Sequence, residues 1–154
     1  MTDLYDTLEK LNIEYEEISH SPVYTIEEAK QISRCIEGKG CKSLFLKRKN
    51  KYYLVLIEED KRADLKQICR TLGVSQLSFA GAENLKEILG LEQGSVTPLG
   101  IVNDYENKVL LLIDKELKGE KLLLHPNTNT KTISVSYEDL IRFVEEQKHS
   151  YIEI

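Results

Sequence analysis

Two dense apolar runs, Ser43-Leu44-Phe45-Leu46 and Tyr52-Tyr53-Leu54-Val55-Leu56-Ile57, flank a polar tip, Lys49-Asn50-Lys51. Short apolar runs bounded by turn residues in this way read as a β-hairpin. Neither run alternates apolar with polar residues, so the hairpin belongs at the centre of a sheet and not at its edge. Val109 to Ile113 is almost wholly apolar and reads as a further buried strand. Whatever else the chain does, it must build a sheet around these strands and cover them.

The rest of the chain switches repeatedly between the two periods. Residues 3–11 look helical, with Leu4, Leu8 and Leu11 on one face. Ile13 to Ile18 alternates like a strand, and His20 to Tyr24 reads as a loop. Thr25 and Glu28 fit a capping box that opens a helix through Ile32. Gly38-Lys39-Gly40 reads as a turn. Asp64 to Leu72 reads as a helix closed by Gly73, and Ala82 to Leu89 as one closed by Gly90. Leu77 to Ala80 is a short strand, and Gly94 to Gly100 a loop. Lys121 to Leu124 and Thr132 to Val135 are strands, and Ser136 with Asp139 caps a last helix. The tail from His149 to Ile154 fits neither period. Helices and strands interleave irregularly, with hairpins among them. The expectation is an α+β fold: one domain over residues 1–154, with a mixed, curved or partly barrel-like sheet flanked by helices.

Composition narrows the function classes. No apolar run approaches the roughly 20 residues needed to cross a membrane. The acidic, amphipathic start of the chain is unlike a signal peptide. Three cysteines, with no C-x-x-C pair, fit free thiols in a reducing cytoplasm. Scattered histidines offer no metal-ligand spacing, and no glycine-rich phosphate loop calls for a nucleotide cofactor. The expectation is a cytoplasmic protein with neither metal nor cofactor. The net charge is −5, yet eleven basic against five acidic residues give segment 34–70 a charge of +6 and leave −11 on the remainder. A basic region on an acidic protein can meet a polyanion.

Three places could hold chemistry. Lys42 stands after the glycine-rich turn, where an ammonium can stabilise a phosphate or a developing oxyanion. Gly94-Ser95-Val96-Thr97-Pro98 is a loop whose backbone N–H groups can hold an oxyanion or a water. At His125-Pro126-Asn127-Thr128 an apolar strand stops at an imidazole, followed by a proline that cannot continue a ladder. Cys41, Ser43 and Ser95 are possible nucleophiles, but nothing in the sequence couples them to His125.

In order along the chain, His20-Ser21-Pro22-Val23-Tyr24-Thr25, Gly40-Cys41-Lys42-Ser43-Leu44-Phe45-Leu46, Gly94 to Asp104 and His125 to Thr130 resemble the YbaK/ProX family of aminoacyl-tRNA editing domains. The S-P-V-Y-T, P-L-G-I-V-N-D and H-P-N-T stretches are similar to its free-standing ProX branch, also called PrdX. The resemblance implies a trans-acting deacylase. It would hydrolyse alanine from mischarged tRNA for proline, with prolyl-tRNA synthetase as a possible partner.

By resemblance, Lys42 fixes the terminal nucleotide or the carbonyl. Gly94 and Pro98 frame the loop that orients the aminoacyl group and a water, and His125 lines the pocket. Ser43, Ser95, Val96, Thr97, Asn127 and Thr128 are implied as substrate contacts. The chain departs from the family pattern at Ser43, where asparagine is frequent, and at Ser21, where proline is frequent. His20 is therefore read as loop structure. The alternatives are removal of cysteine from the same tRNA, as in YbaK, and a non-catalytic module that binds aminoacyl-tRNA or senses an amino acid.

Overall fold

The hairpin organises the sheet. In the computed structural model, which describes residues 2–154, eight strands form one mixed sheet. The order across it is β1 (Glu16–Ser19), β7 (Lys131–Ser136), β6 (Lys121–Leu124), β2 (Lys39–Arg48), β3 (Lys51–Glu58), β5 (Val109–Ile113) and β8 (Tyr151–Glu153). The short β4 (Ser78–Phe79) pairs with β2 off this path. The hairpin strands β2 and β3 are antiparallel and central, as their uninterrupted apolar runs require.

The register sorts side chains to two faces. Phe45 pairs with Leu54, and Leu54 with Leu111. This face carries the larger core, built with Leu4 and Leu8 of α1 (Leu4–Lys10), Leu85 and Leu89 of α4 (Ala82–Leu89), and Leu140 and Phe143 of α5 (Tyr137–Glu146). Leu46, Tyr53, Val55, Ile57 and Leu112 point the other way, onto Ile68 of α3 (Leu65–Leu72). The helices are set by local chemistry. The Thr25–Glu28 capping box opens α2 (Ile26–Ser33), Ser136 Oγ accepts the Asp139 N–H at the start of α5, and Gly73 and Gly90 close α3 and α4 in the left-handed region.

One strand bends the sheet and opens it. β2 pairs in parallel with β6 only at Lys39 and Gly40, and from Cys41 onward it pairs with β3. Beyond Gly40 the β6 side of β2 has no strand beside it until β4 joins at Leu46.

Three local expectations are revised. Gly38-Lys39-Gly40 is not simply a turn, because β2 already begins at Lys39; at Gly40 a Cβ would lie 2.2 Å from Glu59 Oε2 and would displace that carboxylate. The second half of the Gly94–Gly100 loop is a 3-10 helix, Pro98–Asn103, with Thr97 as its N-cap. The first strand starts at Glu16, while Ile13 turns into the core. The undecided tail supplies β8, which runs parallel to β5. Among the described residues no helix is long and apolar enough to cross a membrane.

Candidate active site

A narrow cleft opens where β2 and β6 part. Gly40, Cys41 and Ser43 of β2 form one wall, and Leu123, Leu124 and His125 at the end of β6 form another. Val96 and Thr97 come from the loop before the 3-10 helix, Thr132 from β7, and Val23 from the segment leading to α2. The cavity volume is about 50 Å³, room for roughly four waters at about 10–15 Å³ each.

His125 is held in one tautomer. Its Nδ1 lies 3.1 Å from the carbonyl oxygen of Lys131. A carbonyl only accepts, so Nδ1 carries the proton and Nε2 keeps its lone pair. Burial pushes the ring below the ordinary histidine range, aided by nearby His20 and opposed by the Lys131 carbonyl. The result is a neutral imidazole able to accept a hydrogen bond at Nε2. His20 has no such freedom. Its Nδ1 donates to the Ser21 carbonyl at 2.8 Å, which leaves Nε2 to accept from Thr132 Oγ1 at 2.8 Å. The loop-structure reading of His20 fits that geometry.

The Gly94–Pro98 loop reaches the cleft through its middle. Gly94 takes φ +90°, and a Cβ there would stand 3.1 Å from Asn129 Nδ2 and 3.4 Å from the Tyr24 ring, so both conformation and space call for glycine. Ser95 and Pro98 are buried behind Val96 and Thr97 and do not line the cleft. Thr97 Oγ1 accepts the Leu99 N–H at 3.3 Å.

On the opposite side, Asn127 adopts φ +63° with its Oδ1 buried, and Thr128 Oγ1 meets Thr130 Oγ1 at 3.1 Å. Neither lines the cleft. The amide that braces the cleft residue Val23 is Asn129, which belongs to the same His125–Thr130 stretch but is given no role of its own by the sequence. Its Nδ2 donates to the Val23 carbonyl at 2.8 Å and its Oδ1 accepts the Val23 N–H at 3.2 Å.

Of the residues expected at the site, the structure brings together Ser43, Val96, Thr97 and His125. It does not bring in the Lys42 side chain. Strand alternation sends Cys41 and Ser43 into the cleft and Lys42 to the other face of the sheet. There it lines a groove with Leu44, Asp60, Lys61, Arg62 and Phe79. Cys41, a possible nucleophile from sequence, is disarmed: burial first, then the Glu59 carboxylate, pushes its thiol up to about 12. Glu59 and Thr132, both lining the cleft, escaped the sequence reading.

The sequence profile of the aminoacyl-tRNA editing domain matches residues 20–143, a span that contains every residue lining the cleft. The chain belongs to the aminoacyl-tRNA editing domain family. The prolyl-tRNA editing protein ProX of Acetoanaerobium sticklandii is 37% identical to this editing domain over 147 residues, which cover 94% of this chain and 90% of that protein. The prolyl-tRNA synthetase associated domain-containing protein 1 of Danio rerio is 36% identical over 152 residues, covering 96% and 83%. A crystal structure of a candidate trans-editing enzyme for prolyl tRNA synthetase superposes with a TM-score of 0.75 at 22% identity, covering 98% of this chain and 93% of that one. That similarity establishes the α+β fold.

Proposed function

We propose that this editing-family protein is a free-standing deacylase that removes alanine from mischarged tRNA for proline. The observation that carries the reading is the cleft itself: a neutral, singly anchored His125 faces the edge of β2 that no strand covers, across a cavity of about 50 Å³. The names of the relatives in Acetoanaerobium sticklandii and Danio rerio support tRNA for proline as the carrier and a link to prolyl-tRNA synthetase.

An aminoacyl ester is already activated, so the enzyme's work is to place a water and hold the tetrahedral oxyanion. The open edge of β2 beyond Gly40 presents backbone groups with no strand partner, and N–H groups of that kind suit an oxyanion. His125 Nε2 accepts a proton-bearing oxygen, either the attacking water or the vicinal ribose hydroxyl of the terminal adenosine. Water adds to the ester carbonyl. The intermediate collapses by expelling the ribose oxygen, which takes up a proton, and free amino acid and tRNA leave. No protein nucleophile is needed, in keeping with the disarmed Cys41.

Tyr24, 74% exposed and packed beside Gly94, next in sequence to the cleft residue Val23, offers a stacking face for the terminal adenine. Lys42, on the far face, serves a phosphate of the acceptor end better than the carbonyl.

The small cavity favours alanine over proline, although a methylene difference is worth only about 1–3 kcal/mol. The test is deacylation of tRNA for proline charged with alanine, cysteine, serine or proline. Fast release of alanine with proline spared is the expected result. Preference for cysteine would move the specificity to the YbaK type, and binding without hydrolysis of any ester would make the protein a module instead of an enzyme.

A further inference from the structure

The cleft lining is neutral but for one residue. Cys41 is a thiol, His125 an uncharged ring, and Ser33, Ser43, Thr97 and Thr132 are hydroxyls; the single carboxylate is Glu59. It is 9% exposed. Its backbone N–H donates to the Gly40 carbonyl at 3.0 Å, and its carboxylate rests over Gly40, where any Cβ would fall within 2.5 Å of both oxygens.

The neighbouring acids are engaged. Glu58 Oε2 accepts the Asp60 N–H at 3.0 Å, and Asp60 pairs with Lys30 at 2.8 Å. Among the described residues no donor or cation takes up the Glu59 carboxylate, although Lys30 is near enough to act on it. A largely buried carboxylate with no hydrogen bond or ion pair of its own is disfavoured in its charged form, even where its oxygens still reach solvent. Burial, then Asp60 and Glu58, accordingly push Glu59 above the usual carboxylate range, with Lys30 opposing. A cation brought into the cleft would meet this carboxylate, and an aminoacyl ester of tRNA carries one on its α-carbon.

We propose that Glu59 is the receptor for the substrate's α-ammonium group, so that the enzyme selects free aminoacyl esters over N-acylated ones such as formylated or peptidyl-tRNA. The inference rests on the editing reading above and deepens it. Gly40 belongs to the same device, since a side chain there would displace the carboxylate. Glu59 thus helps position the ester: with the ammonium on Glu59, the carbonyl is set toward the open edge of β2 and His125.

The experiment compares Ala-tRNA and N-acetyl-Ala-tRNA for proline as substrates of the wild type, Glu59→Gln and Glu59→Asp. A hydrogen bond to a charged group corresponds to about 10–100-fold, so the wild type is expected to prefer the free amine by about that factor. Glu59→Gln is expected to lose the preference: kcat/KM on Ala-tRNA falls, mainly through KM, while the acetylated ester reacts as before. Glu59→Asp, which keeps the charge on a shorter stem, is expected to show an intermediate preference. Equal slowing of both esters in Glu59→Gln would indicate a general-base or structural role and overturn the proposal. An unchanged preference would overturn it too. If the wild type hydrolyses neither ester, the editing reading itself falls, and this inference with it.

Discussion

Two inward-facing histidines in this molecule do opposite things. His149 is 6% exposed, and both of its ring nitrogens face oxygen: Nδ1 the Gln147 carbonyl at 2.9 Å, Nε2 the Asp104 carboxylate at 2.9 Å. Asp104 in turn accepts the N–H groups of Lys108 at 3.0 Å and Val109 at 2.9 Å. Burial alone would raise the Asp104 carboxyl, but hydrogen bonds from His149 and these two amides outweigh it and hold the group below its usual range. The cluster is closed, and it ties the entry of β5 to the entry of β8. His125 is anchored through one nitrogen and open at the other, and Glu59 nearby is open as well. Polar groups with every partner inside the protein stabilise the fold; those left with one valence toward a cavity are available to a substrate.

The sharpest way to break this comparison is Asp104→Ala. It strands a buried imidazole and removes the acceptor of two backbone N–H groups. Breaking such a pair costs about 3–5 kcal/mol, or roughly 10 °C in melting temperature for a chain of this size. Deacylation measured well below the transition is expected to stay within about two-fold of wild type. The sign with pH follows from the depressed carboxyl. The stabilisation is complete above the ordinary aspartate value of about 4 and is lost as pH falls through the lower native value. Thermal melting of the wild type should therefore lose its advantage over Asp104→Asn in acid. A variant that melts normally but cannot deacylate would invert the assignment.

His125→Ala should show the reverse pattern. Loss of a positioned acceptor is expected to cost about 100-fold in kcat/KM, with stability lowered by no more than about 1–2 kcal/mol. The ring is held below its ordinary value of about 6.5, so kcat/KM of the wild type should stay level from pH 8 down past that value. It should fall in acid, where protonation removes the Nε2 lone pair and, at the raised Glu59 carboxyl, the charge that would meet the substrate ammonium. A rate that already declines above pH 7 would mean that the open nitrogen is not the working one.

What the sequence disclosed follows the same division. The central hairpin, the Thr25–Glu28 capping box and the Gly73 and Gly90 caps obey rules that act within a few residues, and they could be read directly. Ser43, Val96, Thr97 and His125 were legible only as members of an ordered set of motifs, because nothing local says that β2 and β6 diverge around them. Asn129 meets Val23 from 106 positions away and His149 meets Asp104 from 45; such pairs leave no periodic trace. Glu59 looked like one of three consecutive acids, and only the fold shows that its neighbours are engaged while it is not. Reading Gly38–Gly40 as a turn also hid which face of β2 each following residue would take, and Lys42 lies on the face away from the cleft.

Lys42 therefore gives the smallest expected effect and tests the boundary between site and surface. Its neighbour Lys61 is engaged by Asp114 and Glu116, each at 2.7 Å, whereas Lys42 has no carboxylate within ion-pair distance among the described residues. A free ammonium on the face away from the cleft can meet a phosphate but not the scissile carbonyl. Lys42→Met is expected to leave kcat at saturating tRNA unchanged and to raise KM a few-fold at low salt. That penalty should fade as salt rises, with the slope of log(kcat/KM) against log salt shallower by about one. Such a change is the signature of one lost phosphate contact, because screening weakens an exposed charge pair far more than a buried one. A salt-independent loss of about 100-fold in kcat would instead match the removal of an oxyanion-stabilising donor. Lys42 would then have to swing around the open edge of β2 into the cleft when tRNA binds, and the closed-versus-open distinction would have to extend to a group that the free protein holds outside its site.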